Sequence, residues 1–177
     1  MNMIGFALKI TGMGLIVGGS IIFGQKYSHY RNRKVIVLET IHKTMCMMRE
    51  KILRENTLLE VCMASCGQMY AIPEGNLFEE FSNILEQGKS PESHWKDHVC
   101  TYLKRNGFNS EALCAGLCEL ENAFTQMNTD SLVASLDAAS TFLEKEVEQE
   151  KEKCKKEGPL IQKVSVALGI LLCVMLY

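Results

Sequence analysis

The chain has 177 residues, a formal net charge of −2 from 19 basic and 21 acidic residues, and 47% hydrophobic residues. Near-neutral charge excludes a general attraction to nucleic acid or anionic lipid and leaves the stretch from Lys26 to Lys34 as the one clear basic patch. Aromatic residues, 7% of the total, are not interleaved with basic ones, which excludes a stacking platform for single-stranded nucleic acid.

The first element, Met3 to Gly24, is apolar except for Lys9 and lacks the small-residue pattern of a signal cleavage site. At ~1.5 Å per residue it is long enough to cross a hydrocarbon layer of ~30 Å, so residues 3–24 predict an uncleaved transmembrane helix. Gly14 and Gly18 form a small-xxx-small pair, and Ser20 and Gly24 repeat the spacing. Such a smooth side admits a second helix backbone, and Ala167 and Gly169 are the small residues of the C-terminal apolar run that would meet it.

From Lys26 to about Arg54 there is no Pro or Gly, and Val35, Leu38, Ile41, Met45, Met48 and Ile52 recur at threes and fours, which predicts a long amphipathic helix continuing the first span. Thr57 and Glu60 read as a capping box for a second helix through about Tyr70, with Leu58, Val61, Cys62 and Met69 toward the core. A third helix is expected from about Leu77 to Gln87, carrying Leu77, Phe81, Ile84 and Leu85 in one stripe and stopped by Gly88. Ser90-Pro91-Glu92 opens a fourth that ends at Asn106-Gly107 and presents Trp95, Val99, Tyr102 and Leu103 on one side. Asn109 or Ser110 caps a fifth carrying Leu113, Leu117, Leu120 and Phe124, and a polar gap follows at Gln126 to Thr129.

The sixth helix starts near Thr129 with Leu132, Leu136, Ala139, Leu143 and Val147 in one stripe. It passes into a run rich in Glu and Lys, where pairs such as Glu148 and Lys151 contribute ~0.3 kcal/mol each. Gly158-Pro159 predicts a kink or short break. Residues 160–177 then read as a second transmembrane helix, with Lys163 extending its ammonium to the interface. Val164 to Tyr177 alone is also a suitable length for a buried core helix.

No segment alternates as a strand does. The expected fold is all-α: a small helical bundle of about six helices, residues 26–157, between an N-terminal and a C-terminal transmembrane helix. Lys26, Arg31, Arg33, Lys34 and Lys163 flank the two spans, and an excess of Lys and Arg marks the cytoplasmic side, so the bundle should be cytoplasmic. The eight cysteines agree with a reducing compartment in which they stay thiols.

Cys62 and Cys66, and Cys114 and Cys118, each place two sulfurs on one side of a helix. Four thiolates could surround zinc, yet zinc ligands usually come from knuckle-like loops, and Cys inside an amphipathic helix fills space as a small apolar residue. His94 and His98 are spaced by four but lack the Glu of a zincin helix, which makes them ordinary surface histidines. No phosphate loop, nucleophile elbow or kinase signature is present, so no catalytic, cofactor or metal residue is assigned and no enzyme is expected.

The layout resembles the stage III sporulation protein AB family. The resemblance rests on the Gly-rich first span, the basic start of the long helix, Trp95 in Ser90-Pro91-Glu92-x-x-Trp95, the Leu117 to Phe124 stripe, the Glu/Lys run, and the terminal stretch from Lys163 through Gly169 to Leu172. It departs from the family pattern at Phe124-Thr125, Asn128 and Ser165. The resemblance implies a non-enzymatic platform or coupling subunit of the secretion-like channel between mother cell and forespore in endospore-forming bacteria. Its domain would be similar to the cytoplasmic domains of the type II secretion and type IV pilus platform protein. The implied partners are other sporulation channel membrane proteins, a cytoplasmic secretion-type ATPase and the lipid bilayer, with no nucleic acid and no cofactor. The implied location is the mother-cell membrane, with the domain facing the mother-cell cytoplasm. A membrane-tethered metal or redox sensor built on the paired cysteines is the alternative.

Overall fold

A computed structural model describes residues 3–55, 57, 59–88, 90–125 and 129–176, with the side chains of 3–11, 13, 91–93, 122, 123, 125 and 176 outside the description. Among the described residues there are seven helices and no strand: α1 (Met3–Glu55), α2 (Leu59–Met69), α3 (Leu77–Glu86), α4 (Pro91–Arg105), α5 (Glu111–Cys118), α6 (Leu120–Thr125) and α7 (Thr129–Leu176). The all-α expectation holds. The apolar start of the chain runs on into the amphipathic helix as expected, both being α1, whereas the C-terminal apolar run is not a separate helix but the end of α7. The expected break at Gly158-Pro159 does not occur. Pro159 lies inside α7, where its missing N–H withdraws a donor from the carbonyl of Lys155 while both residues are exposed.

The chain forms two compact units, one of Met1–Arg33 with Glu150–Tyr177 and the other of Lys34–Gln149. Every residue of the hydrophobic core belongs to the second. There the stripe expected on α1 is buried at Leu38, Ile41, Met45, Met48 and Ile52, as are Leu132, Leu136, Ala139, Leu143 and Val147 of α7, whereas Val35 is only half-buried and Val37 takes the buried position beside it. Cys46 lies 3.3 Å from the Ser140 hydroxyl, and Arg49 forms an ion pair with Asp137, so these parts of α1 and α7 run antiparallel.

Trp95 centres the core. Its ring is fully buried, edge-on to Phe81 at 4.8 Å and to Phe124 at 4.9 Å, and stacked on Phe78 at 5.8 Å. Such pairs add about 0.5–1.5 kcal/mol each beyond burial. Its indole N–H donates to the Leu117 carbonyl at 2.9 Å, which satisfies the one polar atom that burial would otherwise orphan and fastens α4 to α5.

The ends of the helices follow the local sequence. Ser110 caps α5 by accepting from Leu113 N–H at 3.2 Å. Asn76 caps α3 by accepting from Phe78 N–H, while its amide donates to the Thr44 hydroxyl of α1 and to the Tyr70 carbonyl. Gly107, at φ +79°, ends α4 in a Schellman motif, in which Gly107 N–H donates to Lys104 and Phe108 N–H to Leu103. Phe108 and Leu103 are both buried there. Ser90 precedes α4, with Pro91 in the first turn, but makes no side-chain capping bond.

Other expectations fail for identifiable reasons. The fifth helix is two, divided at Glu119, whose φ of −59° and ψ of −23° keep the apolar phase almost unchanged across the joint. Val61 and Met69 are exposed rather than in the core. On α2 the buried arc is set by Cys62, Met63, Cys66 and Gly67, and at ~100° per residue Val61 lies nearly opposite its centre. Gly67 fixes that arc, since an added Cβ would meet the Glu79 backbone nitrogen at 2.7 Å. Thr57 donates to the Glu55 carboxylate at 3.4 Å, and α2 begins at Leu59. Leu58, the residues of the expected gap from 126 to 128, and Tyr177 lie outside the described residues.

Candidate functional site

In the unit made of the two chain ends, α1 and α7 pair antiparallel. The Arg31 guanidinium reaches the Glu157 carboxylate at 2.5 Å and that of Glu150 at 3.6 Å, and the Cys154 thiol donates to Asn32 Oδ1 at 3.0 Å. Farther along, the backbones themselves come close. A Cβ added to Gly158 would lie 3.7 Å from the Ser28 hydroxyl, one on Gly24 3.3 Å from Gln162 Cα, and one on Gly169 only 2.6 Å from the Ser20 hydroxyl. Ser20 satisfies its own hydroxyl on the Ile16 carbonyl at 2.9 Å.

Gly24, Gly158 and Gly169 are the only buried residues among those of this unit whose burial is described. Its apolar side chains face outward: Leu15 is 73% exposed, Val174 72% and Met175 79%. One described helix, α7, is long and apolar enough to cross a membrane, with an 18-residue window of mean hydropathy 1.8 of which only 17% is buried. A core helix of that hydropathy would be mostly covered by protein. In the expected span at residues 3–24 the side chains of 3–11 and 13 are outside the description, and the described part carries exposed Leu15, Ile22 and Phe23.

Gly169 makes the closest approach in the pair, whereas a Cβ on Gly14 or Gly18 would meet nothing within 4 Å. The tight contacts on α1 come from Ser20 and Gly24, with Ser28 in ordinary contact with Gly158 one turn farther on. Of the cations, Lys26 and Lys163 are exposed, Arg31 is held between two carboxylates, and Arg33 is exposed. Lys34 belongs to the other unit, where its ammonium sits 5.3 Å from the Phe108 ring centroid.

The cysteines divide differently from the sequence pairing. Cys62 and Cys66 are fully buried with sulfurs 3.9 Å apart, and burial, reinforced by Cys66, pushes the Cys62 thiol up to about 12. Full burial of both side chains agrees with space filling by small apolar residues. Cys114 instead forms a disulfide with Cys100 of α4, against the expectation that all eight remain thiols. Two helices packed side by side bring Cα atoms to 5.8 Å, within bonding range, a proximity that spacing along one helix does not reveal. Cys118 stays a thiol 3.9 Å from Cys114, and burial holds its pKa above the ordinary thiol value although Lys96 opposes the shift. Among the described residues, Cys100, Cys114 and Cys118 form a cluster with all sulfurs within 4.8 Å of one another, and Cys62 and Cys66 are not part of it.

His98 also departs from expectation. It is not an ordinary surface histidine. Its Nε2–H donates to the Leu77 carbonyl at 3.1 Å, its ring lies 5.6 Å from that of Phe81, and burial lowers its pKa. His94 bonds the Ser90 carbonyl one turn earlier.

No curated protein and no solved structure matches the chain. The family model described as stage III sporulation protein AB matches residues 9–177, nearly the whole length, including the paired ends, the Trp95 core and the cysteine cluster. The chain therefore belongs to the stage III sporulation protein AB family, which implies a role in sporulation.

Proposed function

We propose that this protein is a non-enzymatic platform or coupling subunit, held in the mother-cell membrane at both ends, of the secretion-like channel between mother cell and forespore. In this reading the helical domain between the ends faces the mother-cell cytoplasm and docks a secretion-type ATPase and other channel membrane proteins. The observation that carries it is the inverted unit of the chain ends, where glycines are buried and Leu15, Phe23, Leu168 and Val174 face outward. In water that arrangement exposes a large apolar surface, and in lipid it does not. The basic residues Lys26, Arg31 and Arg33 at one end of this pair, and Lys163 on α7, support the cytoplasmic orientation.

Affinity capture of the tagged full-length protein from detergent-solubilised sporulating cells tests the reading. The expected result is co-purification, identified by mass spectrometry, of the secretion-type ATPase and channel membrane proteins; recovery of neither rejects it. A reporter inserted at Gly88 should be active only as a cytoplasmic fusion, and activity solely outside the cytoplasm overturns the orientation. The second reading, a membrane-tethered cysteine-based sensor, draws support from the cluster of Cys100, Cys114 and Cys118.

A further inference from the structure

The three sulfurs on α4 and α5 have a geometry that the platform reading does not use. Cys114 and Cys118 are 3.9 Å apart, and Cys100 approaches from the neighbouring helix with all three sulfurs within 4.8 Å. A zinc ion with Zn–S bonds of about 2.3 Å spaces its thiolates by about 3.8 Å, so the Cys114 to Cys118 separation already fits one edge of a zinc–thiolate tetrahedron. Only the bonded Cys100 to Cys114 pair must separate, and breaking their covalent bond permits that.

The surroundings suit an ion as well. A cleft of about 510 Å³ opens on Cys114 and Cys118 and is lined also by Lys96, Glu111, Glu119 and Glu121. It gives solvent access, room for a fourth ligand, and a cation close to where thiolate charge would accumulate. The buried Cys62 and Cys66 have no comparable opening on the solvent side of α2, with both residues fully covered.

We propose that reduced Cys100, Cys114 and Cys118 form a three-thiolate site for Zn²⁺, with the fourth position open to the cleft, and that the Cys100–Cys114 disulfide is its oxidised, metal-free form. A low-molecular-weight thiol reductant delivers two electrons and two protons to the disulfide and is itself oxidised to a disulfide. Zn²⁺ then displaces one proton from each of the three thiols, giving a centre with one net negative charge beside Lys96. The bonded and the metal-bound forms exclude each other because both use the sulfurs of Cys100 and Cys114. The site stands independently of the platform reading, and neither fails with the other.

The test uses the full-length protein in detergent micelles, reduced with a phosphine in metal-free buffer and titrated with Zn²⁺ against a chromophoric chelator. The expected result is about one equivalent bound. Cys100→Ser and Cys118→Ser should each weaken binding by at least the ~10–100-fold that loss of even an outer ligand partner costs. Cys62→Ser should bind as the unaltered protein does, and protein oxidised with a diazene thiol oxidant should bind none. Co²⁺ in place of zinc should give a thiolate-to-cobalt charge-transfer band. Should the serine variants lose helicity, alkylation of the unaltered protein decides instead: zinc must slow modification of Cys118. Substoichiometric zinc, undiminished binding by Cys118→Ser, or alkylation of Cys118 at the same rate with and without zinc overturns the proposal.

Discussion

The two units of this chain are built on opposite plans. In Lys34–Gln149 the large side chains are inside: Trp95, Tyr102, Phe78 and Phe81 are buried, and charged residues lie on the outside. In the unit of the chain ends the described interior is glycine, and Leu, Ile and Val form the exterior. Removal of apolar area from water can stabilise the first and cannot stabilise the second, whose packing must rest on close backbone approach and on polar contacts such as Arg31 with Glu157. The same residue types thus carry opposite meanings in the two units. An exposed leucine is ordinary in the chain-end unit, although it would be costly in quantity in the other.

Three perturbations separate the plans. Trp95→Ala should have the largest effect, a loss of ~3–5 kcal/mol in denaturant unfolding of the full chain followed by circular dichroism, because it removes the central ring and the bond to Leu117. It should leave the chain-end unit intact, as read by cross-linking of Asn32→Cys to native Cys154, whose thiol reaches Asn32 at 3.0 Å. Gly169→Leu should do the reverse. Its side chain would enter the space of Ser20 and cost about 1–3 kcal/mol, lowering the cross-linking yield in membranes while the unfolding midpoint of the domain stays put. If Gly169→Leu lowers that midpoint as far as Trp95→Ala does, the contrast between the units is wrong.

The smallest effect is one of pH. Burial lowers the His98 pKa below the ordinary 6.5, so the unfolded chain takes up the proton first. The contribution of His98 is therefore fully present above 6.5 and is lost as pH falls from there toward the folded value. Unfolding titrations between pH 7 and 5 should show this decline, and His98→Gln should flatten it. An unchanged slope in that variant would assign the decline to other groups.

Much of the helical layout is legible in the sequence because the core is made by helices whose apolar stripes keep one phase. The stripes of α1, α4 and α7, the glycine stop after α4 and the Ser110 cap follow from spacing and local chemistry. Less legible is whatever depends on a second helix. Val61 and Met69 are apolar at helical spacing, yet Gly67 against Glu79 turns them outward. Phe78, absent from the expected stripe of α3, is buried because Trp95 lies over it. Gly14 and Gly18 match the small-residue pattern better than Ser28 does, but Ser28 is the residue facing Gly158. Cys100 shows the same limit, since its partner lies on another helix.

Asn76 has a consequence for uniqueness rather than strength. The buried stripe of α1 includes Met45 and Met48, flexible side chains that would tolerate a shift of the helix along its axis by one turn. The Asn76 amide, itself buried, is bound at once to Thr44 on α1, to the end of α2 through Tyr70, and to the first turn of α3 through Phe78. A one-turn slip of α1 would carry the Thr44 hydroxyl ~5.4 Å away and leave an unpaired donor in the core. A single side-chain amide thus acts as a register key for a seam that its methionines would leave free to slide.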